Sequence, residues 1–172
     1  MRKIIIVLLS IFSFQSVLSQ NADLNVGING GVTIGNLDNV SRMAFGVDAN
    51  YLFDIFDNVK LGPSVNLVYF LTEDNVGVKP DPFIYLPLGG AIRFSGENDD
   101  FYVGADGGFA LGISPNGDNG GIFFKPMVGY NFSEKVSVNF FYAGIKKKKP
   151  TYGYAGIGIV FNIFRGGNYF SY

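Results

Sequence analysis

The sequence predicts an all-β fold, a closed antiparallel up-and-down barrel of eight strands that crosses a membrane. Three observations predict it. Apolar residues recur at every second position in eight successive runs, the period of a strand and not of a helix. Across the runs one parity is bulky and uncharged, while the other is mostly Gly, Asn, Ser and Ala. Only five charged side chains, Asp48, Lys60, Arg93, Asp106 and Lys125, fall inside the runs, and all five take the small parity.

Composition bounds the function. A chain of 172 residues is one domain's worth of protein. Charged residues are 16% of it, against roughly 25% in an average soluble domain. The chain has no Cys and no His, which excludes His-activated nucleophiles, thiolate or imidazole metal sites and disulfides. No enzyme activity and no cofactor are therefore expected. A net charge of -1 without a basic stripe argues against nucleic acid as a partner. The glycine-rich GINGGVTIG stretch from Gly27 lacks the Lys-Ser/Thr end of a phosphate loop. The acidic clusters at Glu73, Asp74 and Asp81 and around Asp118 do not match EF-hand spacing.

The elements follow in order. Residues 1–20 read as a cleavable signal peptide: Arg2 and Lys3, the apolar run from Ile4 to Phe14, then small polar residues before a cut near Gln20. In the first strand, about 24–34, Leu24, Val26, Ile28, Val32 and Ile34 alternate with Asn25, Gly27, Asn29, Gly31 and Thr33. The turn residues Asn36 to Asn39 lead to strand 43–53, bulky at Phe45, Val47, Tyr51 and Phe53. Asp57-Asn58 precedes strand 59–71, bulky at Leu61, Val65, Leu67, Tyr69 and Leu71. After Thr72 to Asn75 comes strand 83–94, where Ile84, Leu86 and Leu88 compete with Phe83, Tyr85 and Pro87 for the bulky side. Ser95 to Asp99 leads to strand 101–113, and the Ser-Pro-Asn-Gly-Asp turn from Ser114 to strand 122–132. Ser133-Glu134 joins strand 136–145, and Lys149-Pro150 joins the last strand, 152–164. Pro63, Pro87 and Pro126 fall inside strands, where a closed sheet has no edge to shelter a missing N–H. Bulges or strand ends are expected to absorb such breaks, with Gly89-Gly90 a candidate bulge.

Lipid, not water, is the expected outer solvent. A soluble barrel turns its polar parity outward, and that parity here is too poor in charge and too rich in Gly for a wet surface. Strands of this length match the ~9–11 residues that cross a bilayer at a tilt. Every backbone group must then pair, so the sheet must close, and eight strands is a common minimum. Tyr51, Phe53, Phe94, Phe101, Tyr130 and Phe132 near one end, and Phe45, Tyr69, Phe124 and Tyr142 near the other, read as two interfacial girdles. The connections after the first, third, fifth and seventh strands are the longer ones, which places both mature termini in the periplasm.

The signal segment, the eight amphipathic strands and the last strand from Tyr154 to Phe164 together resemble the small outer-membrane barrels of the OmpA/OmpX type. More closely, the chain resembles the outer-membrane β-barrel domain proteins common in Bacteroidota. The resemblance implies Sec export to the outer membrane of a Gram-negative bacterium, contact with outer-membrane lipids and lipopolysaccharide, and insertion by the barrel-assembly machinery. It implies that Phe164 is the terminal aromatic read by that machinery, although the chain runs on from Arg165 to Tyr172 and again ends in an aromatic. A monomer is expected.

Two groups of residues are candidate sites. The five strand charges are expected to form a lumen network that joins Asp106 to Arg93 or Lys125, and Asp48 to Lys60, as a rigid plug or as a gate. Lys146, Lys147, Lys148 and Lys149 form an outward basic loop, either a solvated tip or a site for lipopolysaccharide phosphates. The expected function is a structural or surface-interaction role with a largely plugged lumen. The alternatives are a narrow porin-like channel, kept open by lumen glycines, and a soluble periplasmic barrel that holds a lipophilic ligand.

Overall fold

The computed structural model describes residues 22–35, 41–72, 82–96, 100–147 and 151–165. Residues 1–20, expected to be a signal peptide, and Lys148, Lys149 and the residues after Arg165 lie outside the described residues. Among the described residues there are eight strands: β1 Ala22–Gly35, β2 Ser41–Phe56, β3 Val59–Thr72, β4 Phe83–Ser95, β5 Phe101–Ser114, β6 Gly121–Ser133, β7 Val136–Lys146 and β8 Thr151–Arg165. Each pairs antiparallel with its neighbours in sequence, and β8 closes the ring on β1. The eight periodic stretches of the sequence lie within these strands, which run up to three residues further. The extra residues include Asp23, Asp54 and Arg165, charges whose presence hides the strand ends from a polarity pattern. We call the end with Ala22, Arg165 and the β2–β3, β4–β5 and β6–β7 turns the terminal end, and the opposite end the loop end.

The bulky parity faces outward around the whole ring. Ile28, Val47, Leu67, Leu88, Phe109, Val128, Phe140 and Ile157, one from each strand, are all exposed. In β4 the competition resolves with Leu88 and Phe94 outside and Tyr85 and Pro87 buried. The inner place suits Tyr85 because its ring packs edge-on against Phe70 inside the lumen, at 6.1 Å between centroids.

The three prolines are absorbed without bulges. Opposite Pro63 the β2–β3 pairing runs from Asn50↔Ser64 directly to Phe53↔Leu61. Opposite Pro87 the β3–β4 pairing skips from Val65↔Leu88 to Val68↔Tyr85, and opposite Pro126 the β6–β7 pairing skips from Phe124↔Gly144 to Met127↔Phe141. The register is the same on both sides of each gap. Each proline therefore loses local pairing with one neighbour while it stays paired with the other. Gly89-Gly90 is not a bulge, contrary to expectation, since its pairing with Gly108 and Gly107 is continuous. The reason for glycine there is steric. A Cβ on Gly89 would lie under 3.0 Å from the Gly107 carbonyl oxygen, and one on Gly108 would meet Leu88 O. Gly31 and Gly156, also direct partners, close in on each other's strands in the same way. The β8–β1 and β4–β5 seams lie on opposite sides of an eight-strand ring, so glycine pairs allow close backbone approach at two facing corners.

One bulge does bear on a candidate residue. The β1–β8 register shifts between Leu24 and Asn25, which pair with Phe164 and Asn162. Ile163 is the extra residue, and both it and Phe164 are exposed. Strict alternation would turn Phe164 inward, and the bulge re-aims it to the outer face beside Leu24.

Candidate functional site: the lumen

The lumen glycines are seats for side chains. Gly27, Gly46, Gly104, Gly129 and Gly158 pair directly across the sheet with Asp48, Asn29, Arg93, Tyr102 and Asn139. In every case the space of a glycine Cβ is taken by that partner's side chain: the Asp48 carboxylate, the Asn29 amide, the Arg93 Cδ, the Tyr102 ring and the Asn139 amide. The outer face repeats the device, with Phe45 lying over Gly30 and Phe124 over Gly144. These five lumen glycines, which the channel alternative takes as open space, are thus occupied space.

Contacts then cross the barrel. In a ring of eight, β2 faces β6 and β4 faces β8. Lys125 of β6 reaches Asp48 of β2, with Nζ donating to Oδ2 at 2.7 Å, and the same oxygen accepts from Asn29 Nδ2 at 2.8 Å. Lys125 is 1% exposed, and its ammonium also lies 4.8 Å from the centre of the Phe141 ring. From β4 to β8, Phe83 and Tyr85 meet Tyr152 at 5.6 and 6.1 Å between ring centres. Phe70, Phe141 and Tyr154 stack edge-on around the same axis, and Val68, Phe123 and Ile145 fill the space between them. The loop half of the lumen is a packed aromatic core.

The charge network keeps one expected pair, Asp106 with Arg93, and rewires the other. Arg93 meets Asp106, with Nη2 2.7 Å from Oδ1, while its Nη1 donates to the carbonyls of Ile92 and Ala105. Asp48 takes Lys125 and not Lys60. The reason is distance along the strand: Lys60 is in register with Asp54, six residues beyond Asp48 on β2 and so about 20 Å further. Lys60 instead bonds Asp23 of β1 and lies 3.3 Å from Asp54. Asp23 and Asp54 were missed in the sequence because they stand just outside the alternating runs.

The loop end carries a tie that sequence reading did not find. Lys147 bonds Asp118 of the β5–β6 loop and donates to Tyr85 Oη at 2.8 Å, and Tyr85 donates to Asp118 Oδ2 at 2.6 Å. The Lys147 ammonium stands 4.5 Å from the Tyr152 ring centre. Of the four candidate loop lysines, Lys147 is therefore turned inward and Lys146 is exposed. Burial pushes the Asp118 carboxyl up, but hydrogen bonds from Lys147, Tyr85 and the Gly120 N–H outweigh it and hold the group below its ordinary value of 3.8. A carboxylate lowered on folding adds stability above its unfolded pKa and loses it as pH falls through the folded one. The tie is thus complete at neutral pH and is lost as pH falls below the ordinary carboxyl value of 3.8. A carbon NMR titration of the Asp118 carboxyl should give a midpoint below 3.8, and Lys147→Met should raise it.

The terminal half is open. A cavity of about 290 Å³ is lined by Asp23, Lys60 and Arg165 on one wall, by Asp100, Glu134 and Lys135 on another, and by Arg93 and Tyr102. Asn25, Asn131 and Asn162 add amides, and Phe132, Val136 and Val160 add apolar surface. Tyr102 is held by the Asn139 amide, which donates to its hydroxyl at 3.3 Å.

A closed eight-stranded antiparallel barrel with an apolar exterior and a charged interior is the architecture of the small outer-membrane barrels. Among solved structures the fold is similar to the crystal structure of Ail, the attachment invasion locus protein of Yersinia pestis, with a TM-score of 0.57. Identity is 14%, over 83% of this chain and 99% of that one. The backbone structure of the Yersinia pestis outer membrane protein Ail in a phospholipid bilayer nanodisc is similar too, with a TM-score of 0.54 and 11% identity over 83% and 99% of the two chains. No protein-family model matches the chain, and no curated protein does.

Proposed function

We propose that the chain is an integral outer-membrane barrel that does not conduct, exported behind residues 1–20 and seated with its terminal end in the periplasm. Its role is structural or one of surface contact, carried by the loop end, and it is not an enzyme. The continuous apolar exterior supports the membrane location, since so large an exposed apolar belt is not sustained in water. The likeness to Ail supports the compartment. The lack of His and Cys supports a role without catalysis. The observation that carries the closed state is the pair of cross-lumen contacts, Asp48–Lys125 and Tyr85–Tyr152, together with five lumen glycines whose Cβ space is taken by a partner side chain. Lipids and lipopolysaccharide are its expected surroundings, with Lys146 the described loop lysine left exposed for phosphate. We assign Phe164 as the aromatic offered to the assembly machinery, since the bulge puts it on the outer face.

Single-channel recording in planar bilayers tests the closed state. The wild-type barrel is expected to give no resolved unitary steps. Regular steps in the wild-type protein would replace this reading with that of a narrow channel. Membrane fractionation, with gels run before and after boiling, tests the location: the chain should pellet with membranes and shift its mobility on heating.

A further inference from the structure

We infer that the terminal-end cavity is a binding site for a small zwitterion, a free dipeptide or a molecule of that chemistry. The two halves of the lumen are built differently. The loop half is filled by rings, whereas the terminal half keeps about 290 Å³ open, close to the lower end of ligand-sized pockets. The walls carry both signs of charge in fixed places. On one side Arg93 is locked by two backbone carbonyls and Asp106, so its guanidinium is oriented before any ligand arrives. On the β5–β7 side, Asp100 and Glu134 are exposed and, among the described residues, neither is in an ion pair. A molecule with an ammonium at one end and a carboxylate at the other satisfies both walls: the ammonium meets Asp100 and Glu134, and the carboxylate meets Arg93. Asn162 donates to Asn25 and Asn25 to Asn50, which leaves Asn162 Oδ1 to accept from the peptide N–H, and Val136 and Val160 suit short apolar side chains.

The site does not depend on whether the barrel conducts. It rests on the proposed orientation only for its exposure to the periplasm. The test is calorimetric titration of the folded, detergent-solubilised barrel with alanyl-alanine. Saturable one-to-one binding with a dissociation constant at or below about 1 mM is expected. The same dipeptide with acetylated and amidated ends should bind at least about 10-fold more weakly. The double variant Asp100→Asn, Glu134→Gln should lose a similar factor; both residues are exposed, so the fold is kept. Asp118→Asn, at the far end, should bind as wild type does. No saturable heat, or equal binding of the capped and free dipeptides, would overturn the inference. Either failure would leave the conductance result untouched.

Discussion

Replacing Asp48 by Ala is expected to cost the barrel about 3–5 kcal/mol, the largest effect of any single charge removal. The cause lies in Lys125. Its ammonium is 1% exposed and shares Asp48 Oδ2 with Asn29, so the variant strands a positive charge in the middle of the barrel. The register partner of Lys125, Asp106, is already engaged by Arg93 at 2.7 Å. Removing charge from both ends separates the pair's net worth from the damage of orphaning one member. Asp48→Asn with Lys125→Met keeps an acceptor for Asn29 and fills the space with an apolar chain. It is expected to return to within about 1 kcal/mol of wild type, because a buried ion pair barely outperforms a packed apolar substitute. Urea unfolding in lipid vesicles measures both variants, with the slope unchanged and only the midpoint moved. If the single variant loses less than the double, the strut is not what holds β2 to β6.

The same strut marks how far the sequence was legible. Strands and the outer face are local properties: period two and the exclusion of charge can be read within one run, and the structure places the apolar parity outside in every strand. Partners across the lumen are not local. The expected link of Asp48 to Lys60 pairs strands that are neighbours in the chain, whereas strands facing each other in a ring of eight are four apart. That rule alone matches β2 with β6, and hence Asp48 with Lys125, so the signal existed once the strand count was known. The tie among Lys147, Asp118 and Tyr85 had no such signal. It joins the β5–β6 loop to β4 and to the residue that follows β7, and the side of the sheet that Tyr85 takes stays open in the sequence because β4 is apolar on both parities. The glycines misled in a more instructive way. Their small size was visible, but what fills a missing side chain is decided by register, and register places Asp48 over Gly27 and Tyr102 over Gly129.

Two adjacent glycines allow that last point to be tested with opposite outcomes. Gly89→Val is expected to abolish folding, and Gly90→Val to leave a folded barrel. Both residues are in β4, both pair with glycine in β5, and both have the same intrinsic strand propensity. They differ in what surrounds a Cβ. At Gly89 it would press into the backbone of β5, under 3.0 Å from Gly107 O, and neither backbone can retreat without breaking the ladder that closes the ring. At Gly90 the nearest atom is Gly62 O at 3.7 Å, an ordinary contact, and the side chain would point to the apolar exterior. Valine there adds surface suited to lipid and removes backbone freedom from the unfolded chain. Heat-modifiable mobility after refolding reads the result directly: a shifted band for Gly90→Val, and only the unfolded band for Gly89→Val. A folded Gly89→Val barrel would mean that β4 and β5 can part at this corner, and the close glycine pairing would then not be what shapes the ring.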